Sequence, residues 1–251
     1  VPNVSERFDH APVAAARAGL QLGRRDASYE SDFGETDGML GPSDGWNLFH
    51  RWFPRYDLDE AVDPDVDSEL PRVVAGLEAA FDAPFFNKNN HNSVRLERLT
   101  RIFPDGIVVR VTRDPAATTL SLLRAREKHD VPVGEWWSCP APQFPDEAFE
   151  SQVAQAAATV TGIEAHLDRQ VDELSPERAV RVEYEAFCEA PDDLAENVRE
   201  RYEAAGVALK ERPERPAPSL QASIPADVPD EVHGWLEHYR ERLEDGSSLA
   251  P

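Results

Sequence analysis

Residues 107–112, Ile-Val-Val-Arg-Val-Thr, form a nearly continuous apolar run, and Arg113-Asp114-Pro115 follows without a spacer. A run of this kind is expected for a central parallel strand covered on both faces. Asp114 suits a helix N-cap and Pro115 the first helical position, where the missing N–H costs nothing. Ala116, Leu120 and Leu123 give the following helix an inward stripe. The chain therefore switches from strand to helix within three residues, which constrains the fold more than any other stretch does.

Other segments fit the same plan. Leu70, Val73, Val74, Leu77 and Phe81 recur at helical spacing in "SELPRVVAGLEAAF", and residues 92–103 place Leu96, Leu99 and Phe103 on one face. A long helix is expected over 146–172, a strand at 179–184, a helix from about 191 to 205, and a last helix with Val232, Trp235, Leu236, Tyr239 and Leu243 inward. "SDGWNLFHRWF" predicts a short helix capped by Ser43 or Asp44, and "PFFN" (84–87) a short strand. Residues 1–42 are weakly patterned apart from a short helix in "HAPVAAARAGL", and prolines crowd 213–229. Strands alternating with helices imply crossovers. The expected class is α/β, a parallel sheet sandwiched between helices, in one domain spanning 1–251.

The formal charge is −22, and of 26 basic residues only Lys88, Lys128 and Lys210 are lysine. An acid-rich, lysine-poor surface suits a cytosol of molar salt, where screening removes most self-repulsion, so a halophilic source is expected. The field opposes nonspecific contact with nucleic acid, and any anionic ligand needs a local cationic pocket. No apolar run is long enough to span a bilayer and no export signal opens the sequence, so a cytoplasmic, soluble protein is expected. Cys139 and Cys188 lack metal-ligand spacing and read as small, partly buried thiols.

Ligands of parallel α/β sheets bind beyond the carboxyl ends of the strands, where Arg113 stands. A guanidinium there can hold a phosphate through two parallel hydrogen bonds, and Ser121, eight residues on, can add a hydroxyl. The competing reading pairs Arg113 with Asp114 or another acid.

The run "FFNKNNHNSVRLERLTRIFPDGIVVRVTRDPAATTLSLLRAR", continuing to "WWSCPAP" and joined by "RVEYE" at 181–185, resembles the sulfotransferase family, particularly its broad prokaryotic branch. The resemblance covers roughly residues 40 to 190. It implies a P-loop-NTPase-like architecture and transfer of a sulfuryl group from 3′-phosphoadenosine 5′-phosphosulfate (PAPS) to a hydroxyl acceptor, such as a glycan or glycolipid. Adenosine 3′,5′-bisphosphate would be the product, and no metal is needed. Under it, Arg113 and Ser121 grip the 3′-phosphate, and Lys88 matches the lysine beside the transferring group.

For the base, His91 lies three residues after Lys88, where the best-known branch places its histidine two after; Asp44 is the second candidate, since other branches use a carboxylate. Trp136 and Trp137 are open to two readings, an acceptor platform or core anchors. The family's N-terminal strand and Gly-x-x-Arg-Ser-Gly-Thr-Thr loop, which cradles the 5′-phosphosulfate, is missing from these residues. The chain opens with Val1 and its only methionine is Met39, so that strand and loop are expected upstream and the fold N-terminally incomplete. Two alternatives remain: a non-catalytic relative that binds nucleotide or acceptor, and a P-loop phosphotransferase, which should carry a Walker loop and metal-binding residues.

Overall fold

The computed structural model describes residues 2–21, 31–32, 35–36, 38, 41–53, 65–207, 209 and 220–246. The unpatterned stretch 22–30 and the prolines at 213, 216 and 218 lie outside them. The chain divides into two compact units, Val1–Phe103 and Pro104–Pro251.

The first unit is built on helices: α1 (Asn3–Arg7), α2 (Pro12–Gln21), α3 (Trp46–His50), α4 (Val66–Phe81) and α5 (Asn92–Ile102), with a small antiparallel pair, β1 (Ser31–Asp32) and β2 (Glu35–Thr36). The periodicity of α4 does what it predicts, burying Leu77 and packing Leu70 and Val74 against Leu48, Phe49, Trp52 and Phe53 around α3. Phe81 departs from that stripe and is 38% exposed, because Asp82 ends the helix in a left-handed turn (φ 52°). Trp52 is fully buried, and its indole N–H donates to Glu69, which also pairs with Arg51. Gly76 lets α2 approach α4: a Cβ there would stand 2.7 Å from Val13 Cγ2.

The segment 84–87 is not a strand. The backbone N–H of Phe85 donates to the Glu78 carboxylate instead of to a ladder, Phe85 packs on the core, and Phe86 is 71% exposed.

The second unit holds β3 (Val108–Thr112), α6 (Pro115–Lys128), α7 (Gln152–Asp172), β4 (Ala179–Glu183), α8 (Tyr184–Glu189), α9 (Pro191–Ala204) and α10 (Asp230–Glu244). β3 and β4 are parallel, as the crossover argument requires, with Val108 opposite Ala179 and Thr112 opposite Glu183. Among the described residues the sheet has these two strands, and the architecture they define is mixed helical with a small parallel sheet.

β3 is also not covered throughout. Arg110 is its buried residue and Val111 is 42% exposed. Arg110 is buried in an ion network beneath α7, and Val111, the next residue, points to the opposite face of the sheet. Arg110 and Arg181 lie opposite one another in register, and Asp168 sits between them, 3.2 Å from Arg110 Nε and 3.6 Å from Arg181 Nη1. Arg110 also donates to the Val111 carbonyl.

The core lies between α6, α7 and α10, where Ala154, Ala157 and Ala158 meet Val232, Leu236 and Tyr239, with Phe144 edge-on to Tyr239. The small alanine face of α7 is what admits α10 so closely. Cys139 and Cys188 are buried and not joined in a disulfide. Among the described residues no helix is long and apolar enough to cross a membrane.

Candidate functional site

Parallel register determines what gathers at the carboxyl edge of the sheet. Thr112 faces Glu183, so the next residues, Arg113 and Tyr184, emerge side by side. Asp114 caps α6, its Oδ1 accepting from the Ala117 N–H at 2.7 Å. The carboxylate is thus turned to the helix. Arg113 has no carboxylate partner among the described residues. It lies over the Tyr184 ring, Cζ 4.7 Å from the centroid, and its Nη2 donates to the Ser223 carbonyl. Its Nε is buried and without a partner among the described residues. Ser121 is half-buried in the second turn of α6.

Beside Pro115 a cleft of about 350 Å³ opens between α7 and α10, lined by Glu164, Asp168, Arg240 and Glu244. Burial pushes the Glu164 carboxyl up to about 7, reinforced by Asp168 and Asp114 and opposed by Arg110 and Arg240.

The tryptophans of 136–137 separate. Trp136 packs against the core and meets Phe149 edge-on at 5.4 Å, whereas Trp137 stacks on His129 at 4.2 Å. The turn before them is held by Arg126, which is 2% exposed. Arg126 donates to the carbonyls of Pro132 and Glu135, both at 2.9 Å, and to the side chains of Gln152 and Gln155. Gln152 donates to the Val131 carbonyl, and Gln155 both donates to the Glu135 carbonyl and accepts from the Gly134 N–H. Gly134 has φ +89°, a conformation that suits glycine.

In the first unit, Asp44 and His91 converge on Trp46. Asp44 Oδ1 accepts from the Trp46 N–H at 3.0 Å, and the His91 ring lies 4.5 Å from the Trp46 ring, which also stacks on His50 at 5.4 Å. Asn87 donates to the Asp44 carbonyl and accepts from Asn92, tying the segment before α5 to the start of α3. His91 is 6% exposed and stands at the N-terminus of α5 without capping it through its side chain. Burial, then the neighbouring Arg95 and His50, holds its imidazole down at about 4, so it is neutral at physiological pH. Lys88, three residues earlier, is exposed in irregular chain. Among the described residues no cluster of His, Cys, Asp or Glu could hold a metal ion.

A model of the sulfotransferase family matches residues 34–211, which takes in Asp44, Lys88, His91, Arg113 and Ser121 and ends before α10. The chain belongs to the sulfotransferase family. No curated protein and no solved structure matches it.

Tyr184, Ser223, Trp46 and Glu164 were missed by sequence reasoning. Tyr184 had a signal, its position directly after a strand parallel to the one that ends at Arg113. Trp46 stands two residues after Asp44 but needed the fold to reach His91. Glu164 lies beside the inward stripe of α7, and Ser223 contributes only its peptide carbonyl, which no sequence pattern marks.

Proposed function

We propose that the chain transfers a sulfuryl group from PAPS to a hydroxyl acceptor, and that Arg113 holds the 3′-phosphate of the nucleotide. The observation that carries this reading is Arg113 at the carboxyl end of β3, with neither a carboxylate for its guanidinium nor a partner for its buried Nε among the described residues. An anion with two in-plane oxygens fits such a group, since a guanidinium donates from its rim. Ser121, two turns along α6, adds a hydroxyl donor.

PAPS supplies an activated sulfuryl group that needs no metal to leave. Lys88 contributes positive charge where the transferring oxygens gather negative charge, which favours the transition state over the ground state. It is exposed and so open to a ligand. His91 is the favoured base, because its imidazole is already neutral and able to accept a proton, whereas the Asp44 carboxylate is engaged with the Trp46 amide. Trp137 is the better candidate for an acceptor face, since Trp136 is used by the core. We read the protein as a single cytoplasmic domain from a salt-rich cell, its acidic surface leaving Arg113 as a local exception.

A second reading is a non-catalytic binder of nucleotide or acceptor. Transfer of labelled sulfate from PAPS in high salt separates the two. Turnover that falls mainly in affinity for Arg113→Ala and mainly in rate for Lys88→Ala supports the enzyme. Nucleotide binding without turnover supports the nucleotide binder, and no binding of PAPS overturns both the enzyme and the nucleotide binder.

A further inference from the structure

Parallel register gives Arg113 a fixed neighbour. Tyr184 leaves β4 exactly one residue after Glu183, as Arg113 leaves β3 one residue after Thr112, and the guanidinium settles over the phenol ring with Cζ 4.7 Å from the centroid. The ring is itself restrained, because Tyr184 opens α8 directly after β4. A planar cation stacked on a ring has one face covered while every N–H still points outward in the plane.

We propose that Tyr184 is a positioning residue for Arg113, holding the guanidinium flat at the sheet edge so that its donor rim, rather than its face, meets a phosphate. This rests on the reading of Arg113 as the phosphate ligand. An arginine free of the ring would have to be immobilised on binding, at a cost in affinity that the stack removes beforehand. The strand register makes the arrangement a property of the fold and not of a mobile surface pair.

The test is binding of adenosine 3′,5′-bisphosphate to the full chain, measured by calorimetry in high salt, with melting curves establishing that each variant is folded. Tyr184→Ala should weaken binding about 3- to 30-fold. Tyr184→Phe, which keeps the ring, should recover most of that loss. In an Arg113→Ala background, Tyr184→Ala should add little, since the ring acts through the guanidinium. Alanine at 184 that binds like wild type, or a loss undiminished without Arg113, overturns the proposal.

The Nε–H resonance of Arg113 supplies a readout that needs no nucleotide. A ring-current shift present in wild type and Tyr184→Phe but absent in Tyr184→Ala is expected; its absence in wild type overturns the stack. Failure of wild type to bind the nucleotide while that shift is present overturns the phosphate reading, and with it the purpose assigned to Tyr184, but leaves the stack standing.

Discussion

Arg113 donates through its guanidinium to the peptide carbonyl of Ser223, 110 residues further along the chain. The bond uses backbone, so the side chain at 223 is irrelevant to it. Ser223→Ala should therefore leave the segment 220–228 as protected from amide exchange as in wild type. Arg113→Ala should raise exchange there while α10, anchored by Val232, Leu236 and Tyr239, keeps its protection. Hydrogen exchange read by mass spectrometry checks both.

Glu164 makes stability depend on pH in the direction opposite to an ordinary paired carboxylate. Its carboxyl is pushed up to about 7 from 4.5, so the folded state binds the proton more tightly. The resulting stabilisation is full below about 4.5 and is lost as pH rises through about 7. After allowance for solvent screening the effect is about 2 kcal/mol. Urea midpoints at pH 5 and pH 8 should differ in wild type, and Glu164→Gln should remove most of the difference.

With His91 as base, the acid limb of kcat/KM should fall near 4, where burial and the adjacent Arg95 and His50 have placed its titration, rather than near 6.5. His91→Asn should lower kcat about 100-fold or more, with Asp44→Asn reducing it only a few-fold. The reverse ranking transfers the role to Asp44. A pH–rate profile of wild type and both variants decides.

Arg126 is almost fully buried and answers two carbonyls and two amide side chains. Burial also lowers its pKa, partly offset by Glu135. Removing it strands those acceptors, so Arg126→Ala should cost about 3 kcal/mol in urea denaturation. Arg126→Lys should recover little, because one ammonium cannot reproduce a fork that spans four acceptors.

Much of the second unit was legible because its elements obey simple periods. β3, the Asp114 cap, β4 and α10 stand where the apolar run, capping chemistry and the 3.6-residue stripe place them, whereas α7 begins at Gln152 instead of the expected 146, because Ser151 caps it. Where a polar group replaced a backbone partner, the reading failed. "PFFN" has strand-forming residues, but Glu78 takes the Phe85 amide, and composition does not encode that choice. Arg110 appears as a break in an apolar run, and only the helix carrying Asp168 explains its burial. The six-residue α8 is too short to establish a stripe. In the candidate site, Arg113 was legible from its place after a strand, whereas the meeting of Asp44, Trp46 and His91 depends on tertiary packing.

The turn at 131–135 is addressed through its peptide groups: Val131, Pro132 and Glu135 offer carbonyls, Gly134 offers an N–H, and the responding side chains all belong to α6 and α7. Its route is therefore written outside itself. Substitutions at Val131, Val133 or Glu135 can alter what the turn displays without redirecting the chain toward Trp136 and Trp137, so long as Arg126 and the two glutamines are kept.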